Sequence, residues 1–325
     1  MVTCWTSIPF GQPGNGAPGV PAPEHEGLLN PPVPASEGIE RLSLFFASAS
    51  TRQGLLARRA LGSPSPDDGE LGQRLIRRLE EESASVERIE AAVVPTIWRA
   101  HELMDLGAAE SHCARVMDWI LGLQGQPGAF SQGCSRIRHS HRVCEHFISG
   151  FFSPAPPEQR LAPVMLPNGK VFRAEPAARF AISCLALRAA LRGRWRDRAA
   201  VQRHLASLHQ LQEQWSDWNG YFAADAIIAG IHALALGPLS SQGREQVSSL
   251  IASHQAPDGT WPTADLFHTL EALLALGTST ARAAVRRAIP ALLSRQRIDG
   301  TFGSTAQQER ALIALRSLIW AEQEG

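Results

Sequence analysis

The segment HQAPDGTW, which ends at Trp261, returns 41 residues later as RQRIDGTF, ending at Phe302. A third copy, LQGQPGAF, lies upstream. Each copy places glycine four residues and an aromatic six residues after glutamine: Gln124/Gly128/Phe130, Gln255/Gly259/Trp261 and Gln296/Gly300/Phe302. QWSDWNGYF is a degenerate fourth copy, keeping Gly220 and Phe222 behind a longer gap from Gln214. Glycine supplies a turn that other residues make only at a cost. The aromatic can pack between neighbouring helices, and the glutamine amide can bond carbonyls or N–H groups left open at helix ends. Each copy closes one helix and opens the next. A unit of about 40 residues holding two helices cannot bury its apolar face alone, so neighbours must stack.

The segments between the copies read as helices, among them PAARFAISCLALRAALRG, AADAIIAGIHALALG, ADLFHTLEALLALG and ARAAVRRAIPALLSRQ. Several end at glycine, where helices commonly take a left-handed cap. Almost nothing alternates with period two, so an all-α fold is expected with almost no sheet. Residues 1–37 are rich in proline and glycine and predict an irregular arm. Residues 38–325 predict a single helical domain, interrupted near 147–175 by a long proline-rich insertion that ends in the turn LPNGK.

Thirty-one basic residues balance 31 acidic ones, which gives no electrostatic reason to expect a nucleic-acid partner. Lys170 stands alone among arginines, a bias that suggests a high-GC bacterial genome. Five cysteines in a chain of this size argue for a reducing compartment over a disulfide scaffold. No secretory signal and no long apolar run is present, so the expected location is cytoplasmic.

The three copies resemble the QW-type repeats of squalene–hopene cyclases, related class II terpene cyclases and protein prenyltransferase β-subunits. The resemblance covers roughly residues 85–322 and is strongest over 205–318. It implies an α/α toroid, with inner helices around a central cavity and outer helices covering them. It also implies an apolar isoprenoid-type substrate and, on the transferase side, a helical partner subunit; a homodimer is the other assembly considered.

Asp265 follows Asp225 by 40 residues in equivalent helices. Asp265, His268, Thr269 and Ala272 share one face; Asp225, Ile228, Ala229 and His232 share its counterpart. In a toroid this stripe would face the cavity, bringing Asp225, His232, Asp265 and His268 towards one rim. An aspartate in a first helical turn is equally a cap.

Three functions are compatible with this arrangement. A cyclase protonates an alkene with a carboxylic acid kept neutral in an apolar cavity. The family's Asp-x-Asp-Asp motif is absent, so Asp265 would act as the acid, His268 would orient it, and Asp225 and His232 would assist. Trp218 and Trp261, among Trp98, Trp119 and Trp215, would contribute ring faces to the substrate. A zinc-dependent prenyl transferase would map its metal histidine onto His268 and its aspartate onto Asp225, but the third ligand falls on Ile227. The remaining reading is a non-catalytic toroid that binds a lipid or a protein. Separately, CSRIRHSHRVCEHF gathers His139, His141, Cys144 and His146, candidate ligands for zinc, beside Arg138 and Arg142, candidates for an anion or head group.

Overall fold

The arrangement of helices follows from two kinds of helix in the sequence. Ala224–Leu236 and Glu175–Arg192 are apolar nearly all round, and both are buried along most of their length. Ser279–Leu293 instead buries Ala281, Ala284, Val285, Ala288 and Leu292 along one stripe and turns its arginines outward. Helices of the first kind need cover on every side; those of the second provide it.

The computed structural model describes residues 34–83, 93–126, 128–129, 150–212, 215, 218 and 223–323. Val33–Gly325 forms one compact unit. In chain order its described α-helices are α1 (Ala35–Ala47), α2 (Arg52–Ala60), α3 (Asp68–Ser83), α4 (Val93–Asp105), α5 (Glu110–Gly122), α6 (Glu175–Arg192), α7 (Ala199–Gln212), α8 (Ala224–Leu236), α9 (Ser241–Ser253), α10 (Leu266–Leu276), α11 (Ser279–Leu293) and α12 (Gln307–Glu322). The even-numbered helices pack on one another in the order α2, α4, α6, α8, α10, α12, and α12 returns to α2. That closed inner ring is wrapped by the odd-numbered helices, so the fold is an α/α toroid. Each inner helix reaches the next through one outer helix, and the starts of α8, α10 and α12 share one rim, where Asp225, Asp265 and Arg310 meet.

The glutamine motif joins consecutive outer helices. The Gln255 side-chain amide, after α9, donates to Gly259 O at 2.8 Å and to Ala284 O of α11 at 2.9 Å. Its oxygen accepts Arg287 Nε from α11 at 2.9 Å. Gln124, after α5, does the same for α7 through Gly150 O, Ala200 O and Arg203. Gln296, after α11, donates to Gly38 O of α1 at 3.1 Å and so closes the outer ring. Gly259 has φ +83°, and a Cβ there would stand 2.1 Å from Arg287 O, so only glycine fits between turn and helix. Phe130, Gln214, Gly220 and Phe222 lie outside the described residues.

The ring includes α1 to α3, which fall within the predicted 38–325 domain but ahead of the stretch carrying the family resemblance. Helix α1 begins at Ala35, within the segment 1–37 predicted as an arm; residues 1–33 lie outside the described residues. The proline-rich insertion is described from residue 150. It carries a small antiparallel hairpin, β1 (Val164–Met165) and β2 (Val171–Phe172), around the Asn168–Gly169 turn. Gly169 takes φ +83°, as an Asn-Gly turn requires. No described helix is long and apolar enough to cross a membrane.

Candidate active site

At the rim where the inner helices start, the structure brings together three of the four residues predicted as catalytic. Asp265 is the N-cap of α10, its Oδ1 accepting the His268 backbone N–H at 3.0 Å. Asp225 Oδ1 accepts the Asp265 backbone N–H at 2.8 Å, and Oδ2 takes the Lys170 ammonium of the hairpin. His268 is wholly buried. Its Nδ1 accepts from the Asn168 side-chain amide at 3.0 Å, so the proton on Nε2 donates to Asp225 O at 3.2 Å. Burial pushes this imidazole below its ordinary range, against the pull of the Asp225, Glu271 and Asp265 charges. Arg310 of α12 bonds Asn168 O at 3.1 Å and approaches Asp265 Oδ2 at 3.6 Å. The hairpin turn is therefore seated in the rim and fixed by both aspartates' surroundings. Asp265, Asp225 and His268 serve as cap, clasp and anchor, and none of them is among the residues lining the cavity.

The same bonds bear on zinc. Both ring nitrogens of His268 are hydrogen-bonded, which leaves it no open ligand atom to share with Asp225. Among the described residues no three His, Cys, Asp or Glu side chains are grouped to hold a metal. His139, His141, Cys144, His146, Arg138 and Arg142 lie outside the described residues. Trp261 and Trp218, expected to face substrate, are packing residues instead. Trp261 Nε1 donates to Ile251 O at 2.9 Å, and Trp218 Nε1 to Thr263 Oγ1 at 3.1 Å while its ring stacks on His254.

The cavity lies further along the ring axis. It has about 390 Å³ and takes side chains from all six inner helices, a size typical of small-molecule sites of about 300–1,000 Å³. Leu236, Leu274, Ala275 and Ile313 make its apolar wall, with Trp98 as its aromatic one. An adjoining hollow of about 210 Å³, formed by Ala60, Ile319 and Trp320 at the ends of α2 and α12, shares Leu274 and Arg316 with it. The cavity thus opens at the rim where the inner helices end, opposite the seated hairpin. His232 is the one predicted catalytic residue that reaches it.

Two ionic clusters face each other across this space. On α6 and α10, Arg188 Nη2 donates to Glu271 Oε1 at 2.8 Å. Burial alone would raise the Glu271 carboxyl, but the Arg188 guanidinium, with the Asn168 amide, holds it well below the ordinary carboxylate range. On α2, α4 and α12, Arg52 contacts Asp105, Glu309 and Glu102. Asp105 also accepts from Arg192 of α6. Arg52 alone cannot neutralise three carboxylates in a buried setting. Burial accordingly pushes the Glu309 carboxyl up, against the pull of Arg52, and Glu102 rises for the same reason. Glu309 also accepts Gln53 Nε2 at 3.0 Å, and it is 8% exposed. The site therefore holds a carboxyl pushed up by burial on one wall and a carboxyl pulled down by a guanidinium on the other.

Sequence reasoning missed Arg52, Asp105, Arg188, Arg192, Glu271 and Glu309. A signal existed for some. Glu271 is the only acidic residue within the apolar helix LFHTLEALLAL, and Arg188 and Arg192 stand four apart in an otherwise apolar stretch. A lone charge deep in an inner helix points to the cavity more reliably than a first-turn aspartate, which has a cap to make.

No family model matches this sequence, and no curated protein matches it. Solved structures do resemble the fold. The apo type II terpene cyclase MstE from Scytonema matches with a TM-score of 0.51 at 15% identity, over 88% of this chain and 97% of that one. An Asp-to-Asn variant of the same enzyme, in complex with its substrate geranylgeranyl dihydroxybenzoate, matches with a TM-score of 0.53 at 16% identity over the same shares. An Arg-to-Ala variant with that substrate gives 0.52 at 16% identity, again over 88% and 97%. At this identity the likeness establishes a shared toroid fold.

Proposed function

We propose that this chain is a terpene-cyclase-like enzyme. It folds an isoprenoid-type polyene in the central cavity and starts cyclisation, or a related carbocation reaction, by proton transfer from Glu309. The observation that carries the reading is the Glu309 carboxyl: cavity-facing, buried and pushed up above its ordinary range. An alkene is a weak base, so the acid must hold its proton at rest and its conjugate base must be stabilised once the proton leaves. Burial does the first. Arg52, already in contact with Glu309 Oε2, does the second. Trp98 lines the same wall, one ring face covered by the Arg52 guanidinium 5.1 Å from its centroid. A polyene protonated beside it closes its ring, and the last cation loses a proton to the Glu309 carboxylate or to water. The net reaction is an isomerisation. That neighbours in fold act on a geranylgeranyl compound supports this substrate class.

The test is incubation with prenyl alcohols, prenyl acids, prenyl diphosphates and squalene, with products resolved by gas chromatography and mass spectrometry. Glu309→Gln should remove product formation while circular dichroism keeps its helical signal. Full turnover in Glu309→Gln would place the acid elsewhere. Substrate bound but recovered unchanged by the native chain would favour the non-catalytic toroid.

A further inference from the structure

We propose that the cavity contains a carboxylate-recognition site formed by Arg188 of α6 and His232 of α8, and that the substrate is an isoprenoid carrying a carboxylic acid head group. This rests on the reading that the cavity takes an isoprenoid. Both residues line the cavity, and both are almost wholly buried, at 8% and 4% exposure. Arg188 spends one nitrogen on Glu271, yet its Nε has no hydrogen-bond partner, and neither has Nδ1 of His232. Buried polar atoms in native proteins are nearly always satisfied. Two such orphans on adjacent inner helices, on residues that both line one space, point to a ligand there that completes the bonding. A planar head group with two oxygens meets the demand, one oxygen on the guanidinium and the other on the imidazole.

Charge narrows the head group further. Four guanidinium groups border the cavity, from Arg52, Arg188, Arg192 and Arg316, against three carboxyl groups, from Asp105, Glu271 and Glu309. With the Glu309 carboxyl holding its proton, as the proposed reaction requires, positive charge is in excess, which suits an anionic head group such as a carboxylate. A diphosphate would leave several negative charges without partners in a confined space, next to carboxylates that already compete for the arginines. The apolar chain has its own wall: Leu236 follows His232 by one helical turn, and Leu274 and Ala275 stand beside it on α10. The reactive end of a folded chain can then reach Glu309, because the α6–α8 sector lies across the inner ring from the α12–α2 sector.

The experiment measures binding of three probes that share one chain, farnesoic acid, farnesol and farnesyl diphosphate, to the full-length protein by isothermal titration calorimetry. Farnesoic acid should bind at least about ten-fold tighter than farnesol, the effect of one charge-assisted recognition. His232→Leu removes an atom that has no protein partner, so it should leave the fold intact. It should cut the advantage of the acid by roughly ten-fold and leave farnesol unchanged. Arg188→Gln should abolish the advantage, and thermal unfolding checks that the loss of its Glu271 bond is tolerated. Equal affinity for acid and alcohol would overturn the head-group site while the isoprenoid reading stands. Tighter binding of the diphosphate than of the acid would overturn the charge argument. Failure of all three probes to bind would overturn the isoprenoid reading itself, and the head-group site with it.

Discussion

The side-chain amide of Asn168, at the tip of the hairpin, donates to Glu271 Oε2 across 2.9 Å. A loop inserted between repeats thereby touches the floor of the cavity, and the same amide also satisfies His268 Nδ1. Asn168→Ala removes both donors at once and leaves a buried carboxylate and a buried imidazole nitrogen short of a partner. Urea unfolding should show a loss of about 1–3 kcal/mol. An unchanged midpoint would mean that the hairpin does not seal the rim in solution.

Asp265 and Glu309 predict opposite patterns under substitution. Asp265 caps α10, and asparagine caps a helix as well as aspartate does, so Asp265→Asn should be near neutral in stability and keep turnover. Asp265→Ala should cost about 1 kcal/mol and still turn over substrate. Glu309→Gln should do the reverse, keeping the fold and losing product. Loss of turnover in Asp265→Asn with an intact fold would restore that aspartate as the acid.

The toroid was legible because the glutamine–glycine–aromatic spacing records a contact that recurs after three of the outer helices, α5, α9 and α11. Gln255 and Gln296 make the bonds to the following outer helix that their chemistry suggests. The site was less legible for a physical reason. Arg52 and Glu309 are 257 residues apart in the chain and meet only because the ring closes. Periodicity identified the apolar inner helices, but on a helix buried on all sides a stripe of small and polar residues does not mark which face meets the axis. Thus Asp265 was read towards the cavity, whereas Glu271, two turns further on, reaches it. Lys170, the sole lysine, pointed in the sequence only to a genome bias, yet its ammonium is held by Asp225 Oδ2.

The glycine of the repeat should be less replaceable than its glutamine. Gln255→Ala loses two hydrogen bonds and releases Arg287, all near the surface, for about 1–2 kcal/mol. Gly259→Ala forces a side chain into a left-handed backbone and against Arg287 O, and the two costs combine to about 2–4 kcal/mol. Thermal or urea unfolding of the two variants side by side checks the order. A milder effect for Gly259→Ala would show that the turn and α11 can separate without strain.

His204 provides a pH probe free of neighbouring charges. It is wholly buried between Phe151 and Phe152, with neither ring nitrogen hydrogen-bonded, and burial pushes its imidazole down to about 3. In the unfolded chain the same ring takes a proton near pH 6.5. Between these values the unfolded state binds the extra proton, so stability is complete above about pH 6.5 and is lost as the pH falls towards about 3. The slope is up to about 1.4 kcal/mol per pH unit from this histidine. His101, His232 and His268 are also buried and pushed below their ordinary range, and they act in the same direction. Glu102 and Glu309 oppose them, because a raised carboxyl favours the folded state less as the pH rises. Comparing urea unfolding of the native chain with His204→Leu at several pH values isolates the one group. The variant should gain on the native chain by about 1.4 kcal/mol for each pH unit below about 6.5. Parallel curves would mean that His204 finds a partner or water when protonated, and that the pocket between the two phenylalanines opens in acid.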